Sequence, residues 1–302
     1  MTVEELKERY KSQGYSVLAI TDHEYLVDNS YLNDEDFMTI TSCELGIKEF
    51  KNVSSLKKKD MKVCHLNIYA KDPKNTDTPC YSSVYNHYTT KENEHLIHHS
   101  CGEYQREYTK ECINDMIKTA NEKGFLVSYN HPRWSLENAT EYLNYKNLWA
   151  VEIYNHSVQI SGLYEYDINV YDDFLRDGNK MGCIAGDDNH SMNSTCGGYV
   201  MINAEKLEYD EIINALESFN FYASTGPVIK ELYIEDNKAY LTFEKGEYAV
   251  MSTKGRRVEK QEAQNSEEEN KVCFNILPED GYIRFDVVDK SGRRANTCAY
   301  IL

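Results

Sequence analysis

Positive charge is what this sequence is short of. Its 302 residues carry 33 Lys and Arg against 50 Asp and Glu, a formal net charge of −17, so bulk electrostatics would not recruit a nucleic-acid backbone. Metal cations can reverse such a field locally, which leaves a small phosphorylated substrate open. No uninterrupted apolar run is long enough to span a bilayer and no basic-then-apolar leader opens the chain, so a soluble protein without a membrane partner is expected. Paired cysteine motifs are also missing. There are nine Cys, an odd number, without a CxxC. Cys43, Cys64, Cys183 and Cys273 fall inside apolar strand-like runs, where a thiol behaves as a small buried hydrophobe. That usage suits a reducing cytoplasm better than a disulfide scaffold.

With 41% hydrophobic and 12% aromatic residues the chain can fill a core. Its length predicts one large domain, or a large one with a small companion. Short apolar runs read as buried strands: SVLAITDHE (16–24), FMTITSCE (37–44), MKVCHLNIY (61–69), FLVSYNHP (125–132), WAVEIYNH (149–156) and MGCIAGDDNH (181–190), with GGYVMINA (197–204) as one more. Between them, VEELKERYKSQG sets Val3, Leu6 and Tyr10 on one helical face and stops at Gly14. CINDMIKTANEKG does the same with Ile113, Met116, Ile117 and Ala120 before Gly124, and NVYDDFLRDG ends at Gly178. Strand, helix and glycine stop in repetition predict right-handed βα units and a parallel sheet. Residues 71–106 fit no period and are long for a plain loop, so a lid or site loop is expected there. From Ile229 the texture changes to short alternating strands, KELYIED, KAYLTFE, YAVMST, KVCFNI and YIRFDVVD, with the charged GRRVEKQEAQNSEEENK as an exposed hairpin end. The expected division is an α/β unit over 1–228 and a small all-β appendage over 229–302.

The ends of those strands hold the chemistry. Asp22 and His23, Glu44, His131, Asn155, then Asp188 and His190 close successive runs, and His65 lies inside one. In a parallel αβ barrel such ends converge on one mouth. A single histidine at a strand end is ordinarily a satisfied surface or core residue. Six such positions in one chain predict a cation site, and imidazoles mixed with carboxylates suit Mn²⁺, Zn²⁺ or Fe²⁺ better than Mg²⁺.

AITDHE, TSCELG, VCHLN, YNHPRW and GDDNH, in that order, resemble the later motifs of the PHP (polymerase and histidinol phosphatase) metal-dependent phosphoesterases over about residues 3–228. FYASTGP and the β-rich tail resemble a subgroup with a C-terminal appendage. The resemblance implies a distorted seven-stranded, TIM-like βα barrel with up to three divalent metals. It implies His23, Glu44, His65, His131, Asp188 and His190 as ligands, with Asp22 and Asp187 orienting imidazoles. One departure is large: the family opens with a strand bearing His-x-His and a loop acid, and this chain starts at the helix that follows. A clipped or downstream start is expected.

The implied activity is hydrolysis of a small phosphomonoester or phosphodiester by a metal-activated hydroxide, with His190 or His23 protonating the leaving group. Arg133 is a candidate phosphate clamp, against an ordinary surface salt bridge. Asn155 is expected inward as a hydrogen-bond donor, His156 solvated, Trp134 packed in the core, and His98 and His99 an exposed loop pair. The 25 Tyr are too scattered for a nucleic-acid stacking platform. An amidohydrolase-like C–N hydrolase and a metal- or ligand-binding barrel without turnover are the alternatives; no strand-end Lys offers a carbamate bridge.

Overall fold

A computed structural model describes residues 2–49, 61–87, 90–91, 93–164, 166–265 and 268–302. Two residues of the charged 255–271 stretch and three of the 71–106 segment therefore lie outside the described residues.

The chain opens with α1 (Val3–Lys11), whose Thr2 and Glu5 form a reciprocal cap. Next come β1 (Val17–Ile20), β2 (Met38–Lys48) and β3 (Val63–Ala70). They are followed by α2 (Lys110–Glu122), β4 (Phe125–Tyr129), α3 (Ala139–Tyr142), β5 (Ala150–Asn155), α4 (His156–Ile160), α5 (Ile168–Arg176) and β6 (Gly182–Gly186). The three helical runs picked out by periodicity are α1, α2 and α5. Gly14, Gly124 and Gly178 beyond them take φ of 88°, 85° and 92°, the left-handed stop that glycine makes without strain.

Strands β1 to β6 form one sheet in chain order, a curled half-barrel. The β1–β2, β4–β5 and β5–β6 pairs are parallel. The expectation of a wholly parallel sheet needs correcting at β3, which is antiparallel to both β2 and β4. The reversal matters for the site. Residues in the first half of β3 lie level with the carboxyl ends of its neighbours, and the ladder sets His65 opposite Gly46 and Leu66 opposite Tyr129.

One face of this sheet, with Leu45, Leu66, Val127, Val151 and Cys183, packs against Ile113, Met116 and Ile117 of α2 and Tyr171, Phe174 and Leu175 of α5. The other carries Met38, Ile40, Leu126 and Ile184 against Ile212, Ile213 and Leu216. Those last three belong to α6 (Tyr209–Glu217), which sits between β7 (Tyr199–Ile202) and β8 (Phe221–Ser224).

The remainder is antiparallel. β9 (Val228–Glu235), β10 (Lys238–Glu244) and β13 (Asn270–Asn275) make a three-stranded sheet. β11 (Tyr248–Thr253), β12 (Val258–Glu262), β14 (Tyr282–Val288) and β15 (Arg294–Thr297) join β8 and β7 in a larger sheet, and β16 (Tyr300–Ile301) pairs with β14. The larger sheet thus crosses residue 228, because Ala295 of β15 pairs with Ser224 of β8. The charged stretch expected as a hairpin end contains β12, which pairs with β11. Cys273, expected in the core, is exposed, whereas Cys43, Cys64 and Cys183 are buried. Arg284 of β14 fastens the two regions together: it is 4% exposed and bonds both Asp172 oxygens of α5 at 2.8 and 2.9 Å.

Candidate metal centre

The carboxyl edge of the half-barrel gathers residues far apart in the chain. Beyond the last paired residue of β1, Glu44 N donates to the Asp22 carbonyl at 3.0 Å and Glu24 N to the Glu44 carbonyl at 2.8 Å. This extension of the ladder brings His23 alongside Glu44. Strand β3 delivers His65, and the segment after β4 delivers His131.

Glu44 is the hub. Its Oε2 lies 3.0 Å from His23 Nδ1 and 3.3 Å from His65 Nδ1, and its Oε1 lies 3.4 Å from His131 Nε2. Asn130 Nδ2 donates to Oε1 at 2.9 Å. Ligand atoms of Glu44, His65 and His131 all fall within 4.8 Å of one another, a spacing that one divalent cation can bridge. Burial alone would push the Glu44 carboxyl up, but the three imidazoles override it and hold it well below the carboxylate range. Burial likewise disfavours a charged His131, yet Glu44, Glu152 and Asp188 raise it to about 9. The Glu44 hydrogen bond raises His23. The donor set of one carboxylate and buried imidazoles fits a transition-metal-type ion. Asn67 Oδ1, buried beside the site without a hydrogen-bond partner among the described residues, is a further acceptor facing inward.

Backbone strain concentrates here. Glu24, His131 and Asp188 hold φ of 74°, 29° and 48°, left-handed values that L-residues adopt only when surroundings enforce them and that gather at functional sites. His131 is fixed from both ends: its N–H donates to Glu152 Oε2 at 2.9 Å, and its Nδ1 lies 3.3 Å from the Ser135 hydroxyl, leaving Nε2 toward Glu44. Behind Glu24, the wholly buried Arg106 guanidinium lies 2.9 and 2.7 Å from its two oxygens and donates to the Gly46 and Cys80 carbonyls. Arg106 thereby anchors the end of the 71–106 excursion under the site.

Asp188 and His190 form a looser group. His190 Nδ1 is 2.8 Å from the Asp188 carbonyl and 3.4 Å from its Oδ1, with the imidazole 63% exposed. Asn155 Nδ2 donates to Asp188 Oδ2 at 3.2 Å and to Glu152 Oε2 at 3.1 Å, as expected of an inward donor. The His23 and His190 ring centroids are 6.0 Å apart, which links the two groups. Asp187 does something else. Its oxygens accept from Tyr10 OH at 2.7 Å and from the amides of Cys196, Gly197 and Gly198 at 2.5, 2.9 and 2.9 Å. It ties α1 to the segment before β7, a correction to the expectation that it orients an imidazole. Asp22 lies exposed at the rim, held through its backbone carbonyl.

Arg133 is exposed at the rim, with its amide 3.3 Å from Asp167 Oδ2. Trp134, expected in the core, is 42% exposed. His156 is half-buried, 3.0 Å from Tyr154 OH, rather than solvated. His98 and His99 are exposed, with His99 stacked on Tyr81 at 4.0 Å. Glu152, Asn130 and Ser135 were invisible as site residues in the sequence. Glu152 had one signal: it shares WAVEIYNH with Asn155, and a register shift between Glu152 and Tyr154 puts both side chains on the site. Glu152, desolvated, is raised to about 7.

A cavity of about 880 Å³ opens beside the cluster, within the range of small-molecule sites. Its lining includes the polar His23, Glu44, His131, Glu152 and Asp188 and the aliphatic Ile40, Ile184, Ile212 and Leu216. No helix among the described residues is long and apolar enough to cross a membrane. Comparison with protein-family models finds no match, and comparison with curated proteins finds none either.

Proposed function

We propose that the chain is a metal-dependent phosphoesterase of the PHP type, whose six-stranded half-barrel is the greater part of a distorted seven-stranded, TIM-like βα barrel. The observation that supports this best is the convergence of His23, His65 and His131, from separate segments, on the buried carboxylate of Glu44. A bound Mn²⁺, Zn²⁺ or Fe²⁺ supplies Lewis acidity and lowers the pKa of water. Glu44, His65 and His131 are the ligands for one ion; His23, Asp188 and His190 are the donors for another.

The protein's own groups supply the rest. Ser135 and the Glu152 carboxylate orient His131, and Asn130 orients Glu44, so the donors are preorganised. With only the Glu44, His65 and His131 ion bound, exposed His190, or His23, would hand a proton to a leaving oxygen. Arg133 offers a planar fork for non-bridging phosphate oxygens. The substrate is a small phosphomonoester or phosphodiester, and the free cysteines suit work in the cytoplasm.

The test is metal analysis of the purified chain, then assay with Mn²⁺ against a phosphoester panel and an amide panel. We expect phosphate-ester cleavage abolished by chelator and by Glu44→Gln. Amide cleavage alone would make it a C–N hydrolase, and full metal occupancy with turnover on neither panel would make it a binding barrel.

A further inference from the structure

Trp134 has the size of a core residue and the exposure of a surface one. Its indole sits against two of the candidate ligands, with ring centroids 4.9 Å from His131 and 5.5 Å from His65, yet 42% of it is open to solvent. Exposing so much of an indole forgoes burial that aromatic side chains normally supply.

The loop that carries it cannot readily fold the ring inward. Ser135, the next residue, is fully buried; its amide donates to the His131 carbonyl at 3.1 Å, and its carbonyl accepts the Val63 amide at 3.1 Å. Two residues on, the buried Glu137 carboxylate is held by three tyrosine hydroxyls, from Tyr129 at 2.6 Å, Tyr145 at 2.5 Å and Tyr108. Leu136 between them takes a φ of 60°. The loop is pinned on both sides of a ring that remains at the rim. A rigid aromatic surface held out beside a polar cluster costs little entropy to use as a contact, because its geometry exists before the ligand arrives.

We propose that Trp134 is a stacking platform that selects phosphoesters carrying a planar ring, such as a nucleobase, next to the phosphate. The proposal rests on the phosphoesterase reading for the position of the phosphate, and on the indole geometry for the ring. A compact ester with its phosphorus at the Glu44 cluster and its organic part on the His65 and His131 side would lie over the indole. Stacking accepts any π face, so Trp134 sets preference for a ring rather than for one base.

The chain contains two Trp, and the other, Trp149, is buried. Trp149→Phe therefore leaves Trp134 as the single indole reporter. In the Zn²⁺-loaded variant, excited at the red edge of the indole band, we expect saturable quenching by adenosine 5′-monophosphate and by adenosine, and none by glycerol 3-phosphate. In steady-state assays with Mn²⁺, Trp134→Ala should raise KM for adenosine 5′-monophosphate about tenfold and leave glycerol 3-phosphate within about twofold; Trp134→Phe should recover most of the loss. Equal effects on both esters, or no quenching by adenosine, would overturn the platform. Quenching by adenosine with no turnover of any ester on the phosphoester panel would keep the platform and overturn the phosphoesterase reading.

Discussion

Two buried charge clusters in this protein use the same kinds of atoms to opposite ends. Around Arg284, each charge faces its opposite: the guanidinium bonds both oxygens of Asp172 and both of Asp286, and Asn296 donates to Asp286 at 2.5 Å. Around Glu44, one carboxylate faces three imidazoles, each able to give up its proton and present a lone pair instead. The first set is complete without any addition. The second is complete only with protons or with a cation. Carboxylates wrapped on a guanidinium are a fastening, while a convergence of potential ligands is a cluster that could hold a metal ion.

The largest effect should come from opening the fastening. Arg284→Ala leaves Asp286 buried without its cation and Asp172 with Arg176 at 3.7 Å, and loss of one partner of a buried pair costs about 3–5 kcal/mol; denaturant titration should show this while metal content stays unchanged. If Arg284→Ala unfolds at wild-type denaturant concentration, the contrast between the clusters collapses. Glu44→Gln should show the converse, losing the bound divalent ion in calorimetric titration with a smaller fall in stability than Arg284→Ala. Retention of wild-type metal affinity would remove Glu44 from the ligand set.

Ser135→Ala refines the comparison, because it leaves every ligand in place and removes only the hydroxyl beside His131 Nδ1. Loss of such an orienting partner weakens metal binding about 10–100-fold, measurable by competition with a chromophoric chelator. The smallest effect is a pH trend. His131 is raised above its ordinary value to about 9 in the metal-free fold. Its protonation therefore adds stability that is fully present below about pH 6.5 and is lost as pH climbs through about 9. Thermal melts in chelator should fall across that window. Melts with saturating Mn²⁺ should not, since protons and metal compete for the same imidazole. Parallel curves with and without metal would disprove that competition.

Much of the half-barrel was legible because buried strands are short apolar runs and helices stop at glycine. The polar edge that gathers Glu44, His65 and His131 was legible for a related reason, since polar residues closing an apolar run need partners. The direction of β3 was not. Periodicity records which residues are buried and not which way a strand runs, so the sequence placed His65 inside its strand without showing the reversal that brings it level with Gly46. Asp187 and Asp188 were separated by the resemblance alone, as an imidazole-orienting residue and a ligand, and only the fold shows that Tyr10 and three amides claim the first. Trp134 was misjudged because an indole is usually buried, and its exposure depends on how Ser135 and Glu137 pin the loop. The pairing of β8 with β15 is a contact between distant segments that no local pattern announces.

That pairing, together with the Arg284 clasp, governs how the polypeptide can be dissected. A fragment cut after residue 228 would carry β8 without β15, and Asp172 of α5 without Arg284, its remaining cation among the described residues then being Arg176 at 3.7 Å, so the excised half-barrel would present a raw sheet edge and a poorly paired inner carboxylate. Anyone wishing to transplant the ligand cluster into another scaffold would have to bring the C-terminal strands with it, or first replace Asp172 with an uncharged side chain.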